Sequence, residues 1–176
     1  MTNIEYVSFF ENIARSHKNL RHEEPGAAYP TGKRKSFFRS NKEGEDVQAG
    51  MEQVDYPSLN LLPYHGRLQT RDMLHIEDSM TGGFDIRYHV ADINDYAAIE
   101  DARDDCKTIA FSILAEMQRL WEEDGSCGPF TDLDLNNSTY DFIGPLNNSE
   151  FGIRIQFSFR DGANFSSFDL NDIFQR

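Results

Sequence analysis

Apolar residues recur along this chain with two different periods, and the switch between them lays out the elements. Phe151, Ile153, Ile155, Phe157 and Phe159 alternate with Gly152, Arg154, Gln156, Ser158 and Arg160. Successive side chains of a strand point to opposite faces, so residues 151–159 predict a strand with one buried face. Phe84, Ile86, Tyr88 and Val90 alternate in the same way with Asp85, Arg87 and His89, behind a Thr81-Gly82-Gly83 turn. That pattern predicts a second half-buried strand. Between the two the period lengthens. Ile99, Ala102, Cys106, Ile109, Ala110, Ile113, Leu114, Met117, Leu120 and Trp121 step mainly by three and four, one wide stripe on a helix over 95–123. Asn94 or Asp95 can cap its start. Asp95, Glu100 and Asp101 lie in its first two turns, where the helix dipole favours negative charge, and Gly125 is a natural stop.

The remaining elements are weaker. Ile4, Val7, Phe10, Ile13 and Ala14 predict a helix over 3–20, capped by Thr2 or Asn3. Residues 54–62 predict a strand with Pro57 near its beginning. Proline has no N–H to donate, so this strand should lie at an edge or start late. Pro63-Tyr64-His65-Gly66 then turns the chain, and residues 67–79 are polar without a clear period. Ser138–Ile143 predicts another strand, joined to 151–159 through a hairpin turn at 144–149. Residues 21–50 are the least foldable part and read as an extended arm or long loop, with a short strand at Ser36-Phe37-Phe38. The tail after 161 carries Phe165, Phe168, Leu170, Ile173 and Phe174, which need a covering surface on the same copy or the next. The expected fold class is α+β: a mostly antiparallel sheet of four to five strands packed on an N-terminal helix and the long helix, in a single domain over 1–176.

Composition narrows the function. A chain of 176 residues can bury roughly 70% of its unfolded surface. Fourteen Phe and seven Tyr set it apart from a disordered acidic tail. The net charge of −13 argues against a nucleic-acid binder, which collects Lys and Arg to replace phosphate counterions. The charge is also uneven: residues 1–42 carry +4 and residues 43–176 carry −17. A basic first quarter beside an acidic body suggests an intramolecular clamp or contact between neighbouring copies. The run Lys33-Arg34-Lys35 with Arg39, interleaved with Phe37 and Phe38, suits an acidic patch on a neighbouring protein. With the tail residues Phe168 and Phe174 it forms the expected subunit interface. Apolar stretches fall short of the roughly 20 residues needed to span a bilayer, and Met1–Leu20 does not read as a signal peptide. Cys106 and Cys127 are expected to be reduced.

Candidate chemistry is sparse, and neither a catalytic centre, a metal site nor a cofactor is expected. His65, His75 and His89, with Asp72, Asp85 and Asp92, lack the spacing of metal ligands. Asp104-Asp105 and Glu122-Glu123-Asp124 are adjacent on a helix, about 100° apart, so they do not converge. Asp132, Asp134 and Asn136 resemble part of a calcium loop, but without its sixth-position glycine and twelfth-position Glu. Gly82-Gly83 is too short for a phosphate loop, and there is no nucleophile elbow. Cys127, between glycines, has no His near it in sequence.

The order of elements resembles that of small neck and tail-completion proteins of tailed bacteriophages. The similarity covers residues 54–160: the Asp55-Tyr56-Pro57-Ser58-Leu59 strand, the Gly82-Gly83-Phe84 strand ending in Asp92, the long acidic helix, and the Phe151-Gly152-Ile153-Arg154-Ile155-Gln156-Phe157 strand. These motifs are similar to virion proteins of phages infecting gut Bacteroides-type hosts. The 21–50 arm departs from the compact tail-terminator plan. The resemblance implies a homo-oligomeric ring in the virion, assembled in the host bacterial cytoplasm between portal or connector and tail. Arms would hook neighbouring copies, an acidic lumen would let DNA pass unbound, and there would be no active site. Two rival readings stand beside it. One is an acidic DNA mimic that inhibits a host DNA-binding enzyme, motivated by the net charge. The other is a hydrolase or ligand-binding domain using His65, His75 or Asp92.

Overall fold

The two alternating segments become neighbouring strands at the heart of one sheet. The computed structural model describes residues 2–24, 32–40, 54–72, 75–124, 130, 132–146 and 149–162. Its elements are α1 (Asn3–Ser16), β1 (Phe37–Arg39), β2 (Ser58–Asp72), β3 (His75–His89), α2 (Tyr96–Asp124), β4 (Asp132–Leu146) and β5 (Glu150–Gly162). The strand order is β1-β2-β3-β5-β4. β1 runs parallel to β2, and every other pair is antiparallel. The fold is therefore α+β, with a mixed, mostly antiparallel sheet and two helices. Among the described residues no helix is long and apolar enough to cross a membrane.

Register explains why the centre is stable. Phe84 pairs with Ile155, Ile86 with Ile153 and Met80 with Phe159. The apolar rows of β3 and β5 thus fall on one face, which both helices cover. Tyr6, Phe10, Ile13 and Ala14 of α1 and Cys106, Ile109, Ala110, Ile113 and Met117 of α2 bury against this row. Phe130 closes the core, with its ring 4.8 Å from Phe159 and 5.8 Å from Phe157. A second, smaller cluster of Val90, Ile99, Ala102 and Phe151 fastens the start of α2.

Both helices are capped as their sequences suggest. The Thr2 hydroxyl accepts from Glu5 N, and the Glu5 carboxylate accepts from Thr2 N, a reciprocal box at the start of α1. Asp95 accepts from Ala98 N at the start of α2. Two details of α1 differ from expectation. It ends at Ser16 because His17 is extended, and Leu20 turns back into the core. Ile4 is 78% exposed while Tyr6 is buried. The inward stripe is thus 6, 10, 13 and 14, which brings the Tyr6 hydroxyl within 3.2 Å of Gly83 N.

Several segments expected to be turns lie inside strands. Pro63–Gly66 sits within β2, where the β2–β3 register shifts between Leu62 and His65 and so accommodates a residue with no N–H. β2 does start late, immediately after Pro57, but in the interior of the sheet. Thr81-Gly82-Gly83 is mid-strand in β3. Gly83 is there for space and not for a turn, since a Cβ would lie 2.5 Å from Ile155 O. The aperiodic residues 67–72 and 75–79 supply the outer parts of β2 and β3, paired from Arg67 with Ser79 to Asp72 with His75. β4 extends well beyond 138–143 and contains Gly144-Pro145, with register shifts absorbing the irregular stretches.

Backbones approach closely at Gly152, where a Cβ would meet Ile86 O at 2.0 Å. Gly152→Ala must push β5 away from β3 at its buried end. The expected loss is roughly 3 kcal/mol, read as a lower urea midpoint. An unchanged midpoint would mean that the strands can separate there freely.

Candidate functional site

The basic segment is pinned to the edge of the sheet by backbone groups. Glu23 N donates to Arg34 O at 2.9 Å, and Arg34 N donates to Glu24 O at 3.1 Å. Ser36 Oγ donates to Leu20 O at 2.7 Å, and Lys35 N donates to Asp55 Oδ2 at 2.7 Å. Arg34 reaches across to give a hydrogen bond to Tyr56 O at 2.7 Å. The described part of the 21–50 arm is therefore an ordered strap leading into β1. Lys33, Arg34, Lys35, Phe37 and Phe38 come together, with His22 and Glu23, around a cleft of about 400 Å³. Lys33, Lys35 and Arg39 are exposed, but Phe38 is buried and offers a partner little surface. Arg39 lies at a separate hollow beside Asn3, Tyr6 and Val7. Phe168 and Phe174, and the remainder of the arm and tail, lie outside the described residues, as does Cys127.

The opposite edge has different chemistry. On β4, Tyr140 and Phe142 are each 46% exposed, and they continue into Phe111 of α2 through ring contacts of 5.6 and 6.1 Å. Lys107 lies over Phe111 and Tyr140, and Arg103 over Phe142. Cations placed on ring faces hold this aromatic ledge in place. Asp132 and Asp141 are exposed along the same strand.

The face of the sheet away from the helices was expected to be wet, and toward the Gly152 end it is not. Asp85 is fully buried and Arg87 and Glu150 nearly so. Arg154 grips Asp85 with two bonds, Nε to Oδ1 at 2.7 Å and Nη2 to Oδ2 at 3.0 Å. Arg87 bridges Asp85 at 3.0 Å and Glu150 at 3.4 Å. The Tyr56 hydroxyl donates to Glu150 at 2.5 Å. Among the described residues two carboxylates face two guanidinium groups, which offsets the cost of burying Asp85, Arg87 and Glu150. The sequence signal was present: Asp85 and Arg87 on one strand face Arg154 on another, opposite charges at cross-strand positions.

Among the described residues, His17 and His22 are tied into structural contacts. His17 Nε2 lies 2.8 Å from Ser112 Oγ, linking the end of α1 to α2 across 95 residues of chain. Ser112 Oγ already donates to Ile109 O, and His17 Nδ1 accepts from Asn19 N. Nε2 must then donate, so the ring is a clamp and not a base for that hydroxyl. No sequence spacing signals this pair. Glu11, His22 and Glu23 gather within metal-ligating distance of one another. However, Arg15 occupies both carboxylates, and His22 Nδ1 accepts from Ser36 N, which leaves the ring proton on Nε2. The cluster is an ion pair network closing the strap. His65 and His89 do not converge: His65 pairs with Thr81, eight residues along β3 from His89, about 26 Å away. The Asn137 amide, and then Asn136 N, donate to Asp134 and hold its carboxyl below the usual range, and Asp132 faces Arg160. Burial pushes the Cys106 thiol up to about 12, so it is unreactive.

Removing the Arg154 guanidinium leaves Asp85 buried with one cation. Arg154→Met should cost about 3 kcal/mol by urea unfolding, and Asp85→Leu with Arg154→Met should recover most of it. A loss below about 0.5 kcal/mol for the single variant would show that the pair adds nothing. His17 and His22 both have pKa values lowered, chiefly by burial. The unfolded chain takes up protons near pH 6.5 while the folded one resists. Stability should thus be full above pH 6.5 and fall as pH drops from there through the folded values. Denaturant midpoints across pH 7.5 to 5 should show this, with a shallower slope in His17→Gln. An equal slope would remove His17 from the account.

No protein-family model matches this chain, and no curated protein sequence matches it.

Proposed function

We propose that the protein is a structural virion component of a tailed-phage neck or tail, forming an oligomeric ring or adaptor between portal or connector and tail. The observation that carries this reading is the unlikeness of the two sheet edges. β1 is short, basic and bordered by the pinned strap. β4 is fifteen residues long, exposed and edged with Asp and aromatic side chains. A body with unlike ends suits head-to-tail contact, which closes into a ring when the rotation allows. The resemblance over residues 54–160 supports the same assignment. Its partners are further copies and the portal, neck or tail proteins above and below. The acidic body would repel DNA phosphates, so the genome passes as an unbound strand.

A second reading, an acidic inhibitor that mimics DNA, rests on the exposed Asp101, Asp104 and Asp105 of α2. It is weakened by Arg103 and Arg119, which pair with Glu100, Glu116 and Glu123. It requires tight, salt-sensitive binding to a basic DNA-binding enzyme.

Light scattering over a concentration and salt series is the test. A discrete multimer that weakens with salt, and annular particles by electron microscopy, are expected. A monomer under every condition, with portal and tail proteins present as templates, would overturn the reading.

A further inference from the structure

Resting on that reading, we propose that the contact between copies is edge to edge: Tyr140-Asp141-Phe142 on β4 of one copy docks at the basic cleft beside β1 of the next. Three observations converge on this occupant.

The first is direction. β1 is parallel to β2, and three antiparallel steps lead from β2 to β4, so β1 and β4 run in opposite senses. A second copy added in the same orientation therefore presents β1 antiparallel to β4, the better-paired arrangement for open edges.

The second is charge. Lys35 and Arg39 are exposed on the β1 side; on the β4 side Asp141 is exposed, as is Asp132, which faces Arg160 of its own copy. Pairing β4 with itself about a twofold axis would set the Asp132 and Asp141 edges against each other, like charge against like. Pairing it with the β1 side matches opposite charges.

The third is shape. The cleft holds about 400 Å³ and is lined by Phe37, Lys33, Arg34 and Lys35, together with His22, Glu23 and the buried Phe38. Apolar walls with cations at the rim suit aromatic rings on one side of a strand and a carboxylate on the other. Tyr140 and Phe142, both nearly half exposed, share one face of β4, and Asp141 lies on the other. An exposed aromatic edge of this length is otherwise an aggregation liability, which a neighbouring copy removes.

The test uses two full-length variants, Asp141→Lys and Lys35→Glu, each changing one exposed side chain, with circular dichroism to confirm folding. Each alone should dissociate at concentrations where the unaltered protein assembles, with self-affinity weakened about tenfold or more. Mixed one to one, they should associate again, through dimers into larger assemblies. The intact β4 edge of Lys35→Glu meets the intact cleft of Asp141→Lys, and the two altered ends carry swapped but still opposite charges. If both variants assemble as the unaltered protein does, this interface is wrong while the ring reading stands. If each is blocked but the mixture gives no dimer, the two edges do not meet each other, and the head-to-tail contact falls. If the unaltered protein never assembles, the ring reading falls with it.

Discussion

Phe130 sits 4.8 Å from Phe159 and 5.2 Å from Phe9, with Tyr6 and Phe10 completing the cluster around it. Edge-to-face contacts of this kind add to the burial of large apolar area. Because Phe157 and Phe159 are on β5 and Tyr6, Phe9 and Phe10 on α1, the cluster joins the two ends of the described chain. It fixes where α1 lies on the sheet, and thereby where the strap after α1 can reach. The cleft beside β1 exists because Leu20 is held down at the end of α1 and Ser36 is tied to it.

The opposite face obeys a different constraint. Strands β3 and β5 approach so closely at Gly152 and Ile86 that no side chain fits between them. Around this contact the polar row is buried, and charges there survive only because they are paired. Asp85, Arg87, Glu150 and Arg154 meet that need within two strands. The layer says little about function, but it locks the register of β3 and β5, since a one-residue slip would drive these charges into the aromatic face. A rigid, register-locked sheet is a suitable scaffold for contacts made at its edges.

How much of this was legible varies by element. α2, the cores of β3 and β5 and the helix caps followed from local pattern, because period and capping chemistry are local properties. The long β2–β3 hairpin was not legible. Its outer half carries no period, and its glycines read as turns when they serve close strand packing. The cleft was half legible: the Lys33-Arg34-Lys35 run stood out, but its ordering depends on Asp55, Tyr56 and Leu20, which are distant in sequence.

The amino-acid sequence alone sets which segments alternate, where the long helix runs, and that the first quarter of the chain is net basic while the rest is net acidic. These are counts and periods that no folding can alter. Tertiary structure decided which charges are buried, which glycines are spacers, that His17 reaches Ser112, and that the basic and acidic edges lie at opposite ends of one sheet. Each depends on the order of the strands, and strand order is set by packing between residues far apart in the chain.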